Sequence, residues 1–347
     1  MDLQDRAMLV SLNISQWTAR KMDKDASDAT ADLYKAEHSE VSTYKSMVQK
    51  KHLDEIKKIV GKARTMHYKF TSPYIPSKGQ AILATKMLPE YMAEGSRLTQ
   101  EFTTAVNKFL SIYRDAQEEA RKSLQNMYNP ADYPSEEQLR RKFNMAYDFA
   151  PLPKGEHLKI AIGEEELVEM QADIEEKVKD SMKMAMEDLW KRVYDVVGAL
   201  KERLTPDKGK DKKFHDSLIG NIAELASILP KMNIGDDPDL NAMADKLAKE
   251  FGDIDPEALR IDRDLRKNAM KKADEILKKV SNRVSHKQVN ETPVAPVQVE
   301  IPIEPVIEPV TEPVAEPVAA PEPVKEVSPA KVEEDEITAN LRKLGII

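Results

Sequence analysis

The chain contains no cysteine. Disulfides, a thiolate nucleophile and any zinc site built on cysteine are therefore excluded, and a reducing cytoplasm is the compartment to expect. Long hydrophobic runs are missing as well. Nothing approaches the roughly 20 apolar residues that span a bilayer. The N-terminus, MDLQDRAMLV, has acidic residues where a secretory signal has basic ones, and its apolar run falls short of the usual core of about 7 to 15 residues. No membrane association is expected.

Metal and nucleotide motifs are equally scarce. The histidines are His38, His52, His67, His157, His215 and His286. No two of them have the three-to-five spacing that sets two imidazoles on one ion, so no metal site is expected. IVGKART has the Gly61-Lys62 of a phosphate-binding loop, but Ile56 stands where its first glycine belongs and Ala63 where a hydroxyl reaches magnesium. Asp237 opens a stretch like a calcium loop, yet Ala242 replaces the turn glycine and Ala248 the bidentate glutamate. No cofactor is implied.

What the chain does have is charge, unevenly placed. Residues 288–347 hold 12 acidic and 4 basic residues, leaving 49 of each in the preceding body, so the whole net charge of −8 belongs to the tail. A neutral body gives no bulk attraction to polyanions, and any such attraction must be local. Ten of the 21 prolines also lie in that tail, between Pro293 and Pro329.

Helical periodicity dominates the body. From Glu90, apolar or small residues fall at Tyr91, Gly95, Leu98, Phe102, Val106, Phe109, Tyr113, Ala116, Ala120, Leu124 and Met127, which predicts one helix ended by the prolines of NMYNPADYP. A second series runs from Leu167 through Ile174, Met182, Leu189 and Val196 to Leu204. At 1.5 Å per residue each would be about 55 to 60 Å long, and the two would pack antiparallel on each other. A weaker pattern over Val41 to Phe70 predicts a third long helix. Between the two strong helices the period changes to two, at Phe143, Met145, Tyr147 and Phe149 and again at Leu158, Ile160 and Ile162, around the turn-rich APLPKGE. This predicts a β-hairpin over 143–162, to which an N-terminal strand at 9–14 would add. Three shorter helices are expected after 207, two of them opened by Asp237-Pro238 and Asp255-Pro256, a capping carboxylate before a proline at the first helical position.

The expected fold is thus mainly α, with long antiparallel helices and a small antiparallel sheet. The expected organisation is a long-helix domain over 1–206, a three-helix subdomain over 207–287, a disordered linker rich in proline, glutamate and valine over 288–332, and a short docking helix over 333–347.

Several stretches carry a resemblance: LVSLNISQWTARK (9–21), ARTMHYKFTSPY (63–74), LPEYM (88–92), and YNPADYPSEEQLRRKF (128–143) leading into AYDFAPLP (146–153). Together they resemble an uncharacterised family of phage- and prophage-encoded proteins, a domain of unknown function, over about residues 9–205. The resemblance implies a host-cytoplasm accessory protein, encoded beside a AAA+ ATPase and a von Willebrand factor A-type protein. It brings no catalytic residues.

Two constellations in the body invite a function. Arg64, His67, Tyr68 and Thr71 sit where Pro73 ends a helix, and Arg64 and His67 are three apart, so they would form a small polar site. The same His67 would equally serve the negative C-terminal end of the helix, and one histidine without a nucleophile or carboxylate is thin ground for catalysis. Arg260, Arg263, Lys267, Lys271 and Lys278 cluster opposite an apolar stripe and would meet phosphates or an acidic partner, although Asp264 and Asp274 share that side. A second basic run, Lys45 to Lys69, sets eight cations against Asp54 and Glu55, with Tyr68 and Phe70 adjacent.

The tail reads as a spacer with a tip. Glutamate recurs every fourth residue from 304 to 316 among prolines, a pattern that keeps a chain extended and solvated. At the tip, Ile337, Leu341 and Leu344 share one helical face, and Gly345, Ile346 and Ile347 would complete a cap and an apolar edge. So short a helix orders only against an apolar surface. The reading is a non-enzymatic adaptor that recruits a protein partner through this tip. A nucleic-acid-binding accessory, a virion or assembly protein, and an enzyme using Arg64 and His67 are the alternatives.

Overall fold

A computed structural model describes residues 3–159, 163–206 and 217–284. The tip residues Ile337, Leu341, Leu344, Ile346 and Ile347 lie outside them. Along the chain come β1 (Ala7–Ser15), β2 (Arg20–Met22), α1 (Lys24–Tyr34), β3 (Tyr44–Ser46), α2 (Asp54–Phe70), β4 (Ser72–Pro73), β5 (Gln80–Ala84), α3 (Leu88–Ser111), α4 (Tyr113–Leu124), α5 (Glu136–Arg141), β6 (Asn144–Pro151), α6 (Glu164–Leu204), α7 (Ser217–Met232), α8 (Pro238–Phe251), α9 (Pro256–Ile261) and α10 (Arg263–Val280). The fold is mainly α with a small antiparallel sheet, as expected.

The sheet has the order β4-β5-β1-β6, and β2 and β3 form a separate two-stranded ribbon. The N-terminal strand is its centre, because both β5 and β6 pair along it, Leu9 with Ile82 on one side and Val10 with Phe149 on the other. The first arm of the expected hairpin forms as β6, which pairs with β1. Residues 158 and 159 are irregular, and 160–162 lie outside the described residues. Alternation records which face of a strand is apolar and says nothing of which strand lies beside it.

The helices also depart from the reading in their partners. The series begun at Glu90 breaks at Ile112, whose backbone leaves the helical region at φ −104°, ψ 5°, and continues as α4. The third predicted helix starts only at Asp54, since 41–53 are taken up by β3 and a short 3₁₀ turn. α6 is a single helix of 41 residues. α3 packs on α2 and beneath β6, whereas α6 packs on α10 and α7. The two long helices therefore spend their stripes on different neighbours. Asp237 and Asp255 cap α8 and α9 as expected, accepting from the amides of Asp239 and Glu257.

One continuous core joins the sheet, α2 and α3 to α6 and to α7–α10. Two arginines of the helical layer tie it at helix ends. Arg192 of α6 donates to the carbonyls of Lys69 (2.8 Å) and Thr71 (2.5 Å), satisfying the C-terminus of α2. Buried Arg266 of α10 does the same for α6 through Leu204 O (3.1 Å) and Arg203 O (2.9 Å). The last four carbonyls of a helix have no partner inside it, so each arginine both docks a helix and terminates its neighbour.

Candidate functional site

The apolar stripe of α2 buries Ile56, Ile59, Val60, Ala63, Met66 and His67. His67 is thus a core residue, and burial pushes its pKa down to about 4, so the ring is neutral near pH 7. Its Nδ1 shares a 2.7 Å hydrogen bond with the hydroxyl of fully buried Tyr91 on α3. Burial raises that phenol well above its ordinary value, so the pair is uncharged. Thr71 is buried and donates to the His67 carbonyl at 2.7 Å. Tyr68 points outward at 70% exposure, and Arg64 is half-buried without a hydrogen bond to His67. The four residues of the expected polar site are thus split between core and surface.

Tyr91 leads to a groove. Its ring meets Tyr147 at 5.6 Å and Phe149 at 6.1 Å, both edge-on, and these two are successive groove-facing residues of β6. Gly95 of α3 allows the close approach, since a Cβ there would lie 3.3 Å from the Tyr147 ring. The resulting trough between α3 and β6, of ≈ 450 Å³, has an apolar aromatic floor. Met92 (47% exposed) and Phe149 (40% exposed) stand at its rim. The Tyr147 hydroxyl is buried with no hydrogen-bond partner, and burial pushes its pKa up to about 12. β6 is an edge strand: among the described residues, nothing pairs with its outer side. Alternation foretold the apolar side of β6, but no periodicity announces that it lies open.

The expected basic face is exposed on α9 and α10, with its members in unequal states. Lys278 pairs with Asp274 (2.9 Å), which Lys201 of α6 also holds at 2.5 Å; these two lysines lower the Asp274 pKa to about 2. Arg263, Lys267 and Lys271 form no ion pair among the described residues, and Arg260 is exposed beside them. Asp264 and Glu275 are exposed on the same helix.

A buried ion cluster escaped the sequence reading. Lys45 of β3 has a 6% exposed side chain and reaches Asp23 (2.9 Å), Asp132 (2.8 Å) and the Met127 carbonyl (2.8 Å). Lys21 of β2 adds a second cation on Asp132 at 2.7 Å. Asp23 simultaneously caps α1 by accepting from Ala26 N. Burial works against the charged form of Asp132, but the two lysines outweigh it and hold its pKa low. The cluster pins the ribbon, α1 and the loop before α5 together. No local pattern announces it: Lys21 and Lys45 come to face each other only when β2 and β3 pair.

Among the described residues, no group of three or more histidines and carboxylates is gathered to hold a metal, and no helix is long and apolar enough to cross a membrane. No family model matches the chain, and no curated protein or solved structure is similar to it.

Proposed function

We propose that this protein is a non-enzymatic adaptor that holds a protein partner. The observation that carries the reading is the open trough between α3 and β6, where Met92 and Phe149 expose apolar surface above an aromatic floor beside the outer edge of β6, with which nothing pairs among the described residues. An extended partner segment there gains main-chain hydrogen bonds from the edge and places alternate side chains on the floor. Exposed apolar side chains gathered at a groove with a polar surround are the usual mark of such a contact. The tip peptide over 333–347 is the second attachment point in this reading, supported by its amphipathic spacing and its long charged tether. Kinship with the phage-encoded family rests on the quoted stretches, and makes a AAA+ ATPase or a von Willebrand factor A-type protein the first partner to try.

The test compares the full-length chain, Met92→Asp, Phe149→Asp and a chain ending at 332 for binding to each purified candidate by calorimetry. The expected result is at least tenfold weaker binding for every variant, with unchanged thermal melting of the two aspartate variants. A partner that binds all four equally would overturn the reading.

A further inference from the structure

The second basic run noted in the sequence becomes a surface once α2 is folded. The helix buries one side against α3 and the sheet, and turns the other to solvent. Lys57, Gly61, Arg64 and Tyr68, spaced four, three and four, form a single line along the outer side, about 16 Å long. Lys58 and Lys62 run beside it and also line the charged groove between α2 and α3. At Gly61 nothing lies within 4 Å of where a Cβ would be, so the middle of the line is open down to the backbone.

The charge balance of this surface differs from that of α10. The acids packed nearest to it are already engaged: Glu55 with Lys108 (2.6 Å), Glu101 with Arg97 and, at 3.9 Å, with Lys62, and Glu224 of α7 with Lys69. Among the described residues, Lys57, Lys58 and Arg64 are left without a carboxylate, against Asp54 alone in the first turn. On α10, by contrast, Asp264 and Glu275 stand exposed beside the free cations, and no aromatic ring is exposed there. At the end of the α2 line Tyr68 presents its ring at 70% exposure, held edge-on against His67 at 5.8 Å.

A row of unneutralised cations leading to a flat, exposed ring meets the two demands of an unpaired nucleic-acid strand: phosphate neutralisation and a platform for a base. We infer that the outer side of α2 binds single-stranded nucleic acid, with Lys57, Lys58 and Arg64 on the phosphates and Tyr68 stacked on a base. A duplex keeps its bases stacked on each other, so Tyr68 has nothing to receive from it.

The test uses the full-length chain and a fluorescent single-stranded oligonucleotide, read by anisotropy over a salt series, with the matching duplex as comparison. Three phosphate contacts give a log–log salt slope of about −2. Lys57→Glu/Arg64→Glu is expected to flatten that slope, whereas Tyr68→Ala is expected to weaken binding on the order of 5- to 100-fold and leave the slope unchanged. Lys267→Glu/Lys271→Glu on α10 should have no effect. Lys57, Tyr68, Lys267 and Lys271 are exposed and Arg64 is half-buried, and unchanged circular dichroism and melting separate loss of binding from misfolding. Absence of binding at low salt, binding indifferent to the α2 variants, loss through the α10 pair alone, or equal affinity for the duplex with Tyr68→Ala silent would each overturn the inference.

Discussion

His67 should make this fold sensitive to mild acid. Its ring is 7% exposed and its pKa is lowered from 6.5 to about 4 by burial. Above about pH 6.5 the histidine is neutral in both the folded and the unfolded chain, and contributes no pH dependence. Between 6.5 and about 4 the unfolded chain takes up a proton that the folded chain refuses, so stability falls as the pH falls. The drop levels off below the folded value. The full span corresponds to about 3 kcal/mol, and about 2 kcal/mol is lost by pH 5. The depressed carboxylates Asp23, Asp132 and Glu94 contribute stability that is present above their unfolded values, 3.8 for the aspartates and 4.5 for the glutamate, and is lost as pH falls through their folded values. His38, whose pKa is raised by its hydrogen bond to Asp28, has the opposite sign: its contribution is complete below 6.5 and is lost at higher pH. Urea unfolding of the full chain at half-unit steps from pH 7.5 to 4.5 reads the effect directly. His67→Asn, whose amide still reaches the Tyr91 hydroxyl, lowers stability at pH 7 but removes most of the slope. A wild-type profile flat to within about 0.5 kcal/mol between pH 7 and 5, or an equal slope in His67→Asn, would refute the reasoning.

Further outcomes follow from the same contacts. Lys45→Met removes the buried cation that Asp23 and Asp132 share and is expected to cost about 3 kcal/mol by thermal or urea unfolding; a loss under 1 kcal/mol would mean that the cluster is solvated. Tyr147→Phe removes a buried hydroxyl that has no partner, so it should be neutral or stabilising by about 1 kcal/mol, while Tyr91→Phe strips His67 of its hydrogen bond and should destabilise by about 1 to 2 kcal/mol. Opposite signs in the two melting shifts are the signature to look for. Arg266→Met frees the carbonyls of Arg203 and Leu204 and should speed hydrogen exchange over the last turn of α6, at a cost of about 2 kcal/mol; unchanged exchange there would show that the cap is idle.

Much of this architecture was legible along the chain. Steps of three and four from Leu167 to Leu204 specify α6, alternation at Val10, Leu12 and Ile14 specifies β1, and the two Asp-Pro pairs mark the starts of α8 and α9. Other parts left little or no mark. The break at Ile112 is hidden, because a one-residue distortion leaves the apolar spacing on either side intact. β5 was missed because Ala81, Ile82, Leu83 and Ala84 are all buried, so nothing alternates.

The candidate sites divide in the same way. Tyr68 and the basic run were visible as residues, but whether Lys57, Lys58 and Arg64 are free depends on where Glu55, Glu101 and Glu224 find other cations. The trough required knowing that β6 lies at an edge and that α3 brings Tyr91 beneath it. By itself, then, the sequence determined the helices α6 and α8, the helical stretch from Leu88 to Leu124, the strands β1 and β6 and the confinement of net charge to the tail, since these follow from propensity, period and composition within a short window. Only the tertiary structure decided that α6 packs on α10 rather than α3, that β1 is central, that His67 is core while Tyr68 is surface, and that Lys45 is buried between two aspartates. Those outcomes depend on contacts between residues tens to more than a hundred positions apart, and no local pattern encodes which distant partner a stripe, a strand edge or a charge will meet.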